Sequence, residues 1–114
     1  MINKFDPNNS FCVHVYGKLT LHGSKNSIFK GPIKKGLRWL MWGNSSKIAT
    51  SISFINNIDI AINEVKFAEI IIFTPQSIDK KIVTGEKYHL GILDTHIAEF
   101  EILKIVGIWE GKIP

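Results

Sequence analysis

Between positions 7 and 58 the chain has no aspartate and no glutamate. The cations in that stretch are Lys18, Lys25, Lys30, Lys34, Lys35, Arg38 and Lys47, so the formal net charge of +4 hides a basic first half and a mildly acidic second half. Such asymmetry steers acidic partners toward the basic half. Arginine is nearly missing, with one copy against 13 lysines, and isoleucine is the commonest residue with 20 copies. That bias reads as base composition of the gene more than as chemistry. It also weakens any case for phosphate recognition, because arginine is the side chain best shaped for bidentate phosphate contact. Cysteine occurs once, at Cys12, which excludes an internal disulfide and fits a reducing compartment. No helix start or histidine pair lies beside Cys12, so it is expected to be a small buried hydrophobe and not a reactive thiol. Long apolar runs are missing too. The longest aliphatic and aromatic run is Ile70 to Phe73, far short of a membrane span, and the first residues, MINKFDPNNS, lack the apolar core of a secretory leader. The expectation is a cytoplasmic protein with no membrane partner.

What the chain does have is alternation. In FCVHVYGKLTL, residues 11–21, Phe11, Val13, Val15, Leu19 and Leu21 share one parity, while His14, Tyr16, Lys18 and Thr20 share the other. Side chains alternate across a strand, so this is a long half-buried strand. Gly17 falls on its apolar face, where a missing side chain admits a close neighbour or a bend. Further strands are expected over 37–42, 47–55, 64–73, 87–93 and 97–109. Pro75 ends the fourth, since proline cannot donate to a ladder. Ile78, Ile82 and Val83 form a short apolar latch in the loop that follows. In the last strand the apolar phase slips from Phe100 and Ile102 to Leu103 and Ile105, which signals a β-bulge or bend. No stretch keeps a 3.6-residue period over three turns. Six strands with long first and last members and no βαβ unit predict a small closed antiparallel β-barrel. With 114 residues it is one domain over 1–114, its core about 10–110.

The order of these segments resembles the C-terminal, third β-barrel domain of elongation factor Tu, over about residues 10 to 110. FCVHVYGKLTL followed by His22 and Gly23 is similar to that family's opening strand. Gly36, Leu37 and Arg38 resemble the Gly-Tyr-Arg-Pro start of its second strand, with Leu37 in place of the aromatic and Trp39 in place of the proline. EVKFAEIIIFTPQSI resembles its alternating strand that ends in a proline loop, and GEKYHLGILDTHIAEFEILKI its closing hairpin, with Phe100 where the family tends to have glycine. The resemblance implies a binding module. In elongation factor Tu this barrel helps hold aminoacyl-tRNA and packs against other domains. Only Arg38 maps onto a family motif residue.

No catalytic constellation is present. His14, His22, His89 and His96 lack the spacings of a zinc site. Glu99 and Glu101 share one strand face, a spacing that more often makes an exposed polar face than an acid–base pair. No cofactor motif occurs. The better candidate is the stretch Lys30 to Trp42, where Lys30, Lys34, Lys35 and Arg38 precede Trp39 and Trp42. Alternation places one tryptophan in the core; Trp39 is expected there, with Trp42 partly exposed. An exposed tryptophan and arginine are common anchors of protein interfaces. The expected function is a non-enzymatic module that recognises another protein through Lys30, Lys34, Lys35, Arg38 and Trp42, the partner carrying an acidic surface. A narrower alternative is an immunity protein that neutralises a bacterial toxin. A second alternative is an RNA-binding barrel, with bases stacked on exposed aromatics and salt-dependent affinity. The bland reading of the same stretch is a solvated lysine-rich loop leading into an ordinary strand.

Overall fold

A computed structural model describes residues 10–22, 32–43, 49–78, 81–92 and 95–109. Its elements are β1 (Cys12–Leu21), β2 (Arg38–Trp42), β3 (Ala49–Phe54), β4 (Val65–Phe73), β5 (Lys87–Ile92) and β6 (Thr95–Trp109). They close into an antiparallel barrel in the order β1-β4-β3-β2-β5-β6. The only helical element among the described residues is a single 3₁₀ turn at Pro75–Ser77, and no described helix is long and apolar enough to cross a membrane.

Alternation governs what fills the interior. Val13, Val15, Leu19 and Leu21 of β1 point inward with Trp39 and Met41 of β2 and Ile52 and Phe54 of β3. Ile70 and Ile72, Tyr88 and Leu90, and Phe100 and Ile102 complete the packing from the other three strands. Each fully buried side chain of this kind contributes about 1.5–3 kcal/mol relative to exposure. Gly17 lies on the inward face of β1. A Cβ there would fall 2.5 Å from Cζ of Phe100 and 2.2 Å from the Glu101 carbonyl oxygen, so the absent side chain is what lets β6 and the Phe100 ring close over β1.

The phase slip in the last strand is a pair of bulges. Tyr16 pairs with Lys104 and Gly17 with Ile102, which leaves Leu103 unpaired; His14 pairs with Gly107 and Val15 with Ile105, which leaves Val106 unpaired. Each extra residue turns outward, and Leu103 and Val106 are 41 % and 46 % exposed. Ile105 and Ile108 thereby return to pack against the core. A third irregularity lies between Leu90 and Gly91, opposite Ala98 and His96, and there Ile97 and Ala98 are both buried. Beyond Ile102, β6 outruns β5, and among the described residues only β1 pairs with it. Bulges along such a stretch also blunt its free edge against unwanted strand pairing.

The loops follow from local chemistry. Thr74, in the left-handed region at φ 47°, turns the chain out of β4 into the proline turn. The Thr50 hydroxyl donates to the Phe73 carbonyl and lies 2.9 Å from Oγ1 of Thr74, pinning that corner. Ile78 and Ile82 of the expected latch are buried, whereas Val83 is exposed. The Tyr88 hydroxyl donates to the Lys81 carbonyl and ties this loop to β5.

The solid apolar end of the 64–73 segment predicts a strand buried on both sides there, and the structure buries only one side fully. In β4 the apolar series Val65, Phe67, Ile71, Phe73 lies on the outer face, with Phe67 61 % exposed, and the core is supplied by Ala68, Ile70 and Ile72. The strand is therefore apolar on both faces at its C-terminal end but closed over on the inner one alone.

Candidate functional site

The expected binding segment falls on the turn before β2 and on β2 itself. Lys30 lies outside the described residues. Lys34 and Lys35 are exposed in a tight turn, closed by the Leu37 N–H donating to the Lys34 carbonyl at 3.0 Å. Gly36 takes φ 86° in this turn, a conformation glycine adopts without steric cost, and its N–H donates to Phe54 at 2.7 Å. The Lys35 N–H donates to Oδ1 of Asn57 at 2.7 Å, and Ile33 bridges to Ile58. Lys34 thus borders a shallow depression that also contains Asp59, so the basic turn has an acid beside it.

Arg38 opens β2 on the outer face. Its guanidinium carbon sits 4.5 Å from the centre of the Phe73 ring, which belongs to β4, two strands away. The reach is possible because the outward residues of the intervening β3 are small: Ser53 pairs with Arg38 and Ser51 with Leu40. Leu40 pairs on its other side with Gly91. Serine and glycine therefore lower the barrel wall here into a shallow groove bordered by Arg38, Leu40 and Ile92. No carboxylate pairs with Arg38 among the described residues.

Trp42 corrects the expectation of partial exposure. Trp39 is in the core as anticipated, its ring edge-on to Phe54 at 5.1 Å, but Trp42 is only 6 % exposed. Trp42 does point outward from β2. What covers it comes from β5 and β6: Trp42 pairs with His89, and the His96 ring lies 4.7 Å from the indole and 4.5 Å from His89, nearly parallel to the latter. Part of the gap between the expected strands 87–93 and 97–109 is strand, since β6 begins at Thr95, and this carries His96 over the tryptophan. Partial desolvation of the ring and the neighbouring His89 hold the His96 imidazole below its ordinary pKa of 6.5, although the residue as a whole is exposed. Arg38 and Trp42 stand at opposite ends of β2, about 13 Å apart at the usual strand rise. The structure brings Lys34, Lys35 and Arg38 to one end of the barrel wall and does not bring Trp42 to them.

The remaining ionisable groups have ordinary neighbours. Glu101 pairs in register with Lys18 and Lys87, its carboxylate 3.9 Å from Lys18 Nζ, and Glu99 pairs with Thr20 and His89. His14 Nε2 donates to Glu69 Oε1 at 2.7 Å. Cys12 is buried, and burial pushes its thiol above the ordinary value. Among the described residues no three histidine, cysteine or acidic side chains gather as metal ligands.

Two partners of the site were not anticipated: Phe73, the platform under Arg38, and His96, the cover of Trp42. The run Ile70 to Phe73 and the histidines were visible in the sequence, but the contacts join strands that are not neighbours in sequence. No protein-family model and no curated protein matches the chain.

Proposed function

We propose that the chain is a non-enzymatic protein-binding module that engages an acidic partner surface through the Lys34–Arg38 end of β2. The observation that supports this reading is the seating of Arg38 on Phe73 beside a groove floored by serine and glycine. A cation held over a ring loses less freedom on binding than a solvated one, and arginine beside an apolar wall is a common interface anchor. Lys34 and Lys35 add positive charge at the same end of the wall, suited to steering an acidic partner. The carboxylates most suggestive of chemistry, Glu99 and Glu101, face lysine, threonine and histidine across the ladder, an arrangement that serves the sheet. The burial of Trp39 and Trp42 disfavours the RNA alternative, since neither indole offers a face to a base. We further propose, on the sequence resemblance alone, kinship to the third domain of elongation factor Tu, and we take the cytoplasm as its working compartment.

The test is affinity capture from the source cell with wild-type bait, Arg38→Ala bait and Lys34→Ala/Lys35→Ala bait, each with and without nuclease. The expected result is a partner retained after nuclease, lost with Arg38→Ala, and weakened by added salt. A captured toxin would make the module an immunity protein, the narrower form of the same reading. Capture that vanishes with nuclease, or that ignores Arg38, overturns it.

A further inference from the structure

The opposite wall of the barrel, formed by β4, β1 and β6, has a different character. Three residues lie in register across it: Glu69 of β4, Tyr16 of β1 and Lys104 of β6. Together with Val106 they line one shallow depression. The Tyr16 ring stacks on Phe67 at 5.7 Å with the planes 15° apart, and Phe67 is the most exposed large apolar side chain among the described residues, at 61 %. The two bulges aim Leu103 and Val106 at solvent on the same side as Lys104. The row is therefore an aromatic centre with Glu69 on one side, where it also accepts from His14 at 2.7 Å, and Lys104 on the other, and the Lys18–Glu101 pair lies one step along the wall.

From this row we infer that the β4–β1–β6 wall docks onto the same wall of a second copy of the chain. The charges choose the partner and the axis. Two sheets that pack face to face lie about 10 Å apart, with strands nearly aligned. A two-fold axis running along β1 between them maps the β4 side of one copy onto the β6 side of the other. Glu69 then faces Lys104 of the second copy, and Lys104 faces Glu69 of the second copy, while Tyr16 meets Tyr16. Phe67, one step further along β4, is level with Lys18 and therefore meets the second copy at Glu101, next to Leu103. A two-fold axis across the strands would set Glu69 against Glu69 and Lys104 against Lys104, which like-charge repulsion disfavours. Lys18, the next outward residue of β1, comes near its own copy on the axis but carries Glu101 at 3.9 Å as a counter-ion. Isologous pairing of this kind is the commonest route to a homodimer. The contact lies on the far wall from Arg38, so the module would present two copies of that anchor.

Sedimentation velocity over a concentration series tests this with the full chain and with Glu69→Lys, Lys104→Glu, the double variant, and Phe67→Ser, each checked for an unchanged far-ultraviolet spectrum. The wild type is expected to dimerise. Either single charge reversal sets two like-charge pairs in the dimer and should weaken association on the order of 100-fold. The double variant, and an equal mixture of the two single variants, should recover it, since each restores opposite charges across the axis. Phe67→Ser should weaken association with no charge change. A wild type that stays monomeric at millimolar concentration overturns the proposal. So does a dimer that ignores both reversals, which would place its contact elsewhere. Neither result bears on Arg38 and its partner, which affinity capture reads separately.

Discussion

Gly17→Ala adds a single methyl group at the point where β6 closes over β1. The added carbon would sit 2.2 Å from the Glu101 carbonyl oxygen and 2.5 and 2.7 Å from Cζ and Cε2 of the Phe100 ring. The ring can rotate or retreat, but the carbonyl belongs to the ladder and moves only if β6 moves. Overpacking of a well-filled core costs about 1–3 kcal/mol, and a backbone obstacle puts this case at the upper end, about 3 kcal/mol. For a 114-residue chain the unfolding entropy is about 0.24 kcal/mol per degree, so the melting temperature should fall by about 12 °C. Gly107→Ala is the control on the same strand pair. Its added carbon meets nothing within 4 Å, and its effect should stay within about 0.5 kcal/mol. Thermal unfolding followed by circular dichroism reads both. Trimming the ring with Phe100→Leu should restore only part of the Gly17→Ala loss in a double-mutant cycle, because the carbonyl remains. A Gly17→Ala protein that melts within two degrees of wild type, or a Gly107→Ala protein that falls as far, refutes the account of barrel closure.

Cys12 is buried with its thiol pushed above the ordinary value, so a thiol reagent should label it at least tenfold more slowly in the native state than in urea; equal rates would contradict its burial. Trp42→Ala should cost about 3 kcal/mol because the indole is almost wholly covered, whereas Arg38→Ala should cost about 0.5–1 kcal/mol, the worth of an exposed cation over a ring, both read from urea midpoints. Desolvation of its ring first and His89 second hold the His96 imidazole below 6.5, although the residue as a whole is exposed and the effect on stability is correspondingly small, so the unfolded chain takes up its proton at higher pH than the fold does. Stability is then fully present above that pH and is lost as pH falls from there through the lower, folded value; His96→Gln should flatten this slope, and an unchanged slope would deny it.

The six strands and their closure were legible because inward and outward residues alternate and nothing competes with that period. A bulge or bend after Ile102 was legible for the same reason, since Phe100 and Ile102 share one parity and Ile105 the other; Leu103, which the sequence groups with Ile105, is instead the extra residue and turns outward. The bulge at Val106 was hidden. Gly107 beside it carries no side chain, so the parity of that segment is set by Ile105 and Ile108 alone, and two odd-length steps in succession restore a period that looks unbroken. The sequence leaves the inner face of β4 open for a related cause. Val65 and Phe67 are as hydrophobic as core residues, and alternation says that they share a face without saying which face is inside.

The candidate site shows where local pattern stops. Trp42 and Phe67 are both aromatic, both outward-pointing and both on strands of a closed barrel, yet one is 6 % and the other 61 % exposed. The difference lies in the strands alongside. Trp42 has β5 next to it and His96 of β6 leaning across from beyond, while Phe67 has only Tyr16 of β1 stacked at its side. Those neighbours follow from the strand order β1-β4-β3-β2-β5-β6, in which β2 and β6 are separated by one strand though more than fifty residues separate Trp42 from His96. Arg38 obeys the same rule from the other direction: Phe73 comes within diagonal reach because the outward residues of β3 alongside, Ser53 and Ser51, are small. Exposure on the outside of a barrel is thus a property of strand order and of the outward side chains one and two strands away. A single substitution such as Ser53→Phe should lift Arg38 off its ring and fill the groove beside it while leaving every inward side chain where it is.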